Sequence, residues 1–191
     1  MHALALDPSS TALLVVDVQE RLCVAMPDRG ESCIAACARL VEGMRVLGVP
    51  VMVTEQYPKG LGPTAPVLRD VLATFDPPVP VFEKLAFGAC GDPAFASALD
   101  ARVDAGLRAI VVCGMEAHVC VYQSVRALAA RGLRVHVALD AVTSRDPRNV
   151  EIARGLWSAA GAIVTSTETV LFDLMGCAGT DTFKAVSRIV K

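Results

Sequence analysis

The chain reads as an α/β fold: three α/β/α layers around a doubly wound, mainly parallel sheet of about six strands. Three observations predict this. Short apolar, β-branched runs alternate with longer stretches of helical apolar spacing, a succession that implies parallel strands joined by right-handed crossovers. Gly48, Gly106, Gly132 and Gly161 each follow a helical stretch, where a left-handed C-cap is expected, and a strand begins soon after each. Hydrophobic residues make up 53% of the chain. The excess is mostly Ala, Val and Leu, which suits strands buried on both faces.

In chain order, residues 12–16 (ALLVV) form the first predicted strand and residues 32–47 the first long helix. A second strand follows at 49–53 (VPVMV). Residues 55–80, rich in Pro and Gly, are the longest stretch without obvious regular structure, and loops of that length usually serve function. A shorter strand is expected at 79–82, a helix at 93–105 and a buried strand at 109–112. The chain breaks at Gly114 and resumes helical spacing over 121–131. A strand at 133–139 precedes a helix at 149–160, whose start is marked by Asp146 as N-cap and Pro147 in the first turn. Residues 162–165 (AIVT) supply the last strand. No internal repeat, low-complexity tract or linker interrupts the pattern, so residues 1–191 are read as one domain, long enough for a full core.

Net charge is −2 with both signs spread along the chain, which gives a phosphate-backbone partner no support. No apolar run approaches the roughly 18 residues that a transmembrane helix needs. The N-terminal MHALALDPSS lacks the basic start and apolar core of a secretory signal, so the expected location is the cytoplasm, with no membrane partner. Seven cysteines is an odd number for a disulfide framework, and six of them read as small buried hydrophobes. Cys33 and Cys37 stand one helical turn apart, yet no second ligand pair follows at zinc spacing.

Polar residues stand at three strand ends. Asp17 follows LLVV, Lys84 follows VFE, and Cys120 lies beyond the fourth strand at or just before a helix N-terminus. That position favours a thiolate, because unpaired N–H groups and the helix dipole stabilise negative charge. Beyond the carboxyl ends of parallel strands is also where ligands bind in open sheets. Singly, each residue has a plainer reading: a turn-forming Asp, a solvated Lys and a buried Cys.

Together, LLVVDVQE, FEKLAF and GMEAHVCV resemble the isochorismatase-like cysteine hydrolases, the group that includes nicotinamidases and N-carbamoylsarcosine amidases. The likeness runs over nearly the whole chain. Residues 54–64 (TEQYPKGLGPT), 140–147 (DAVTSRDP) and 165–176 (TSTETVLFDLMG) look like the isochorismatase-domain-containing subgroup.

The resemblance implies a division of labour. Asp17 takes the Cys120 proton and later donates it to the leaving group, while Lys84 lowers the thiol pKa and holds Asp17 ionised. The thiolate attacks a carbonyl carbon to give a thioester. It further implies a cis peptide at Met115–Glu116, with the N–H groups of Glu116 and Cys120 as oxyanion donors. Gln56, Tyr57, Phe87, Ala117 and His118 are the expected pocket residues.

Metal-containing nicotinamidases carry a histidine cluster after the second strand, whereas TEQYPKGLGP has none, so no metal and no other cofactor is assigned. The histidines are His2, His118 and His136. His136 reads as a satisfied core or helix-facing residue, and His118 as a substrate contact or a bystander. Glu116 is open between an oxyanion role and helix-capping or dimer contacts made by its side chain. Ser144, Arg145 and Asp146 either line the site or cap the next helix.

The expected activity is metal-independent cleavage of a C–N bond in a small amide or carbamoyl substrate. The alternatives are vinyl ether hydrolysis of the isochorismate type, a regulatory ligand-binding member of the fold, and a peroxide-sensing thiol. Related proteins commonly form homo-oligomers, which is the expectation here too.

Overall fold

The computed structural model describes residues 4–26 and 29–191; His2 lies outside them. In chain order the elements are β1 (Thr11–Val16), α1 (Glu20–Val24), α2 (Gly30–Val46), β2 (Val51–Gln56), α3 (Pro58–Leu61), α4 (Pro66–Leu72), β3 (Val81–Lys84), α5 (Pro93–Asp104) and β4 (Ala109–Met115). They continue through α6 (Tyr122–Ala130), β5 (Arg134–Thr143), α7 (Pro147–Ala159), β6 (Ile163–Thr165), α8 (Thr167–Met175) and α9 (Asp181–Ile189). The strands form one sheet in the order β3-β2-β1-β4-β5-β6, every pairing parallel. The order reverses between β1 and β4, the switch point beyond whose carboxyl ends ligands bind in open parallel sheets.

Period-two alternation distributes the central strands between two cores. Leu13, Val15, Val111 and Cys113 face α2, α4 and α8, meeting Leu40, Met44, Leu68 and Leu171. Leu14, Val16, Ile110 and Val112 face α5, α6 and α7, meeting Phe95, Leu99, Val125, Leu128 and Trp157. Both faces of the sheet are therefore dry, as apolar strands without polar alternation require. The four glycines after helices all take positive φ, and Asp92 and Asp146 cap α5 and α7 with a proline in the first turn.

The strands run further than their apolar stretches. β2 continues through Thr54, Glu55 and Gln56, β4 through Gly114 and Met115, and β5 through Asp140 to Thr143. These polar or kinked ends lie at the carboxyl edge of the sheet. The 55–80 stretch holds the end of β2 and two short helices, α3 and α4, each led by a proline. Helices α8 and α9 were also absent from the pattern-based reading.

Gly114 (φ 121°) is required by close approach: a Cβ there would lie 2.0 Å from the Val16 carbonyl oxygen. The register of β4 on β5 shifts at this point. The cysteines are less uniformly buried than expected. Cys33, Cys37 and Cys113 are core, Cys23 and Cys90 are half-buried, and Cys177 is exposed just after α8.

Candidate active site

Asp17 is the first residue past β1 and takes a left-handed conformation (φ 51°), and its carboxylate meets Thr54 of β2 and Lys84 of β3. Its side chain is fully buried. Oδ1 accepts from the Thr54 hydroxyl at 2.7 Å, and Oδ2 accepts from Lys84 Nζ at 2.6 Å. Lys84 is equally buried and uses all three ammonium protons: on Asp17, on Gln56 Oε1 at 2.8 Å and on the Phe87 carbonyl at 2.9 Å. A buried ion pair is tolerated only with its remaining donors and acceptors satisfied, and here they are.

Strand register brings these groups together. Gln56 pairs with Lys84 across β2 and β3, and Thr54 with Val16 across β2 and β1. Gln56 is steadied in turn, since its Nε2 donates to the Leu85 carbonyl and its N–H to Gln19 Oε1.

Cys120 lies in a single π turn, Ala117–Val121, that leads from β4 into α6, so it stands just before the α-helix proper. The Met115–Glu116 peptide is cis. Cys120 is 6% exposed, and the Asp17 carboxylate, the Lys84 ammonium and the Glu116 backbone N–H all bear on its thiol.

The expected pull of Lys84 on the Cys120 thiol is present, but it is outweighed. Burial, and after it the Asp17 charge, push the thiol up to about 12, against the opposing pull of Lys84 and the Glu116 N–H. The Lys84 ammonium is committed to Asp17, Gln56 and Phe87, so its charge is largely answered before it reaches the sulfur. Burial and the Asp17 charge thus favour the thiol over the thiolate, beside a carboxylate that can take its proton.

The remaining expected pocket residues separate. Tyr57 (φ 39°) lines a cavity of about 480 Å3 with Lys59, Glu83, Lys84, Leu85 and Asp92. That cavity reaches the triad only through Lys84. Gln56 is a strut for Lys84, and Phe87 offers Lys84 its carbonyl while its ring is exposed. Ala117 is wholly buried in the core, which removes it from a pocket wall. His118 is half-buried and hydrogen-bonded on both ring nitrogens, to Ser144 and Asn149. Glu116 turns its carboxylate onto Arg145 rather than capping a helix. Asp146 caps α7, whereas Ser144 and Arg145 hold the turn that carries Cys120.

His136 is buried among the residues around α8, but its Nε2 has no hydrogen-bond partner, which corrects the expectation of a satisfied core histidine. Thr54 was missed as a site residue, and Ser144, open between lining the site and capping α7, accepts from the Ala117 N–H instead of capping. The only signal for Thr54 was a polar residue after an apolar strand run. Among the described residues no group of three or more His, Cys, Asp or Glu is placed to hold a metal ion. No helix is long and apolar enough to cross a membrane among them.

The Isochorismatase domain family profile matches residues 11–169. An isochorismatase domain-containing protein 1 from Salmo salar is 36% identical over 186 residues, covering 97% of this chain and 62% of the salmon protein. An isochorismatase domain-containing protein 2 from Bos taurus is 35% identical over 184 residues, covering 96% and 84%. Among solved structures, a protein described as the MAR1 ribonuclease from Caenorhabditis elegans superposes with a TM-score of 0.88 at 36% identity, covering 97% and 92%. YcaC from Escherichia coli, described as an octameric hydrolase of unknown specificity, shares the fold at a TM-score of 0.84 and 22% identity, covering 97% and 89%.

Proposed function

The chain belongs to the isochorismatase domain family, and from that premise we propose that it is a metal-independent cysteine hydrolase acting on a C–N bond of a small amide or carbamoyl compound. The observation that carries this reading is the buried Asp17 carboxylate, held by Lys84 at 2.6 Å, whose charge bears on the buried Cys120 thiol.

Asp17 accepts the Sγ proton as sulfur attacks the carbonyl carbon. The N–H groups of Glu116 and Cys120 receive the developing oxyanion, each contributing roughly 3 kcal/mol in comparable sites. Asp17 passes its proton to the departing nitrogen, leaving a thioester (a thiocarbamate for a carbamoyl substrate). Water, deprotonated by Asp17, then attacks the acyl carbon. The acid leaves, and the proton returns to sulfur. Lys84 holds the carboxylate in place through both halves.

A pre-formed thiolate is not needed in this scheme, because proton transfer accompanies attack. The chain is expected to act on a small molecule and to self-associate, with no nucleic-acid or membrane partner. Its exposed apolar side chains at the β3 edge, Tyr57, Val81, Leu85 and Phe87, favour self-association.

The test is ammonia or amine release from a panel of primary amides and carbamoyl compounds, by the native protein and by Cys120→Ala, Asp17→Asn and Lys84→Met. Turnover by the native protein alone supports the reading. Hydrolysis of an enol ether that survives Cys120→Ala favours the isochorismate-type reaction. RNA cleavage, the activity in the name of the C. elegans relative, overturns the proposal if it survives Cys120→Ala while no amide is turned over.

A further inference from the structure

Three consecutive residues of the turn before Cys120 are tied to one segment that the chemistry above does not use. β4 and β5 pair to their last residues, Met115 beside Thr143, so the residues that follow each strand emerge side by side. Glu116 then meets Arg145: its carboxylate accepts from the Arg145 backbone N–H at 3.0 Å and from the guanidinium at 3.0 and 3.1 Å. The Ala117 N–H donates to Ser144 Oγ at 3.0 Å. His118 Nδ1 lies 3.1 Å from the same oxygen, and His118 Nε2 lies 3.3 Å from Asn149 Nδ2 in the first turn of α7.

These contacts select a tautomer. An amide nitrogen only donates, so Nε2 accepts from Asn149 and the ring proton sits on Nδ1, pointing at Ser144 Oγ. Ser144 Oγ thereby accepts twice, from His118 and from Ala117. Ser144 is 4% exposed, and an apolar residue in its place would leave the Ala117 N–H buried without a partner. On the opposite side Ser124 Oγ donates to the Cys120 carbonyl at 2.7 Å and accepts from the Ala89 N–H at 2.9 Å. The turn is pinned at both ends.

We infer that His118 and Ser144 are positioning residues for the Cys120 nucleophile, anchoring the Glu116–Ala117 peptide to the segment between β5 and α7. Neither residue touches the reacting atoms. They act through the backbone of the turn, whose Ala117 N–H Ser144 holds and whose Glu116 N–H bears on the Cys120 thiol. A neutral imidazole suits this role because it donates and accepts along one line, spanning from Asn149 to Ser144. The inference rests on the hydrolase reading for its chemistry, but its geometry stands apart from Asp17 and Lys84.

The test is the rate of iodoacetamide alkylation of Cys120 against pH, followed by peptide mass spectrometry in the intact protein. Loss of the aimed N–H raises the thiol pKa, and one unit lowers the thiolate population at pH 8 about tenfold. Ser144→Ala and His118→Ala are expected to slow alkylation by about that factor while the urea midpoint of unfolding moves little. Ser144→Thr, which keeps the hydroxyl, is expected to restore most of the rate.

Wild-type rates in both alanine variants overturn the inference. Should Ser144→Ala not fold, His118→Ala carries the test alone, its side chain being only half-buried. Asp17→Asn is the control that separates the two readings. If it shifts the alkylation midpoint while the alanine variants do not, the positioning role falls and the hydrolase reading stands. If Asp17→Asn leaves the midpoint unmoved, the hydrolase reading itself falls.

Discussion

At Cys120 two influences work against each other, and substitution separates them. Burial and the Asp17 charge hold the thiol proton on, and Lys84 pulls the other way. Asp17→Asn is therefore expected to lower the alkylation midpoint of Cys120, and Lys84→Met to raise it, both read from thiol modification between neutral pH and about 12. The first variant gains thiolate and yet loses hydrolysis, because the proton acceptor is gone. A more reactive but inactive protein would separate proton transfer from nucleophilicity. Lys84→Met also strands a buried carboxylate, which costs about 3–5 kcal/mol of stability by urea unfolding. Asp17, Lys84 and Cys120 were legible as residue types at strand ends. That Lys84 spends its protons on Gln56 and Phe87 as well as Asp17 was not, since no local pattern records which carbonyl a distant ammonium meets.

Among the elements, β5 carries the clearest internal conflict. Its His136 pairs in register with Val111 and Ile163 and lies buried with an unpartnered Nε2. Burial, reinforced by the nearby Arg134 charge and only partly opposed by Asp173, holds this imidazole below its ordinary value of 6.5. The unfolded chain therefore takes up the proton first. Stability is full above about pH 6.5 and is lost as pH falls below it, until the native imidazole titrates as well. His136→Phe is expected to flatten the decline of the urea midpoint between about pH 7 and 5. A slope equal to that of the native protein would refute this assignment.

The elements also show where pattern reading stopped short. Apolar periodicity ended β2 at residue 53, but hydrogen bonding carries the strand to Gln56, because Thr54 and Gln56 serve the site rather than the core. Helices α3 and α4, of four and seven residues, were too short to show a period within the 55–80 stretch.

For the whole molecule, the sheet order β3-β2-β1-β4-β5-β6 sets the first three strands in descending chain order and the rest in ascending order, and the site sits at the reversal. The edge strand β3 leaves Val81 and the adjoining Leu85 exposed, the latter at 77%, beside Tyr57 and Phe87. Sedimentation is expected to give a mass that is a multiple of 20.1 kDa, and Leu85→Glu to reduce it. A single 20.1 kDa species at high protein concentration would count against self-association through this edge.

By itself the sequence determined the alternation of strands and helices, the glycine caps after four helices and the identity of an acid, a cation and a thiol at three strand ends. These are legible because period, capping and residue type act over a few neighbours along the chain. Only the tertiary structure decided that Thr54 and Gln56 complete the buried ion pair, that Ser144 and His118 hold the nucleophile turn, and that burial and Asp17 push the Cys120 thiol upward. Each of those depends on burial and on partners from different strands, and strand order, not chain distance, brings them within hydrogen-bonding reach.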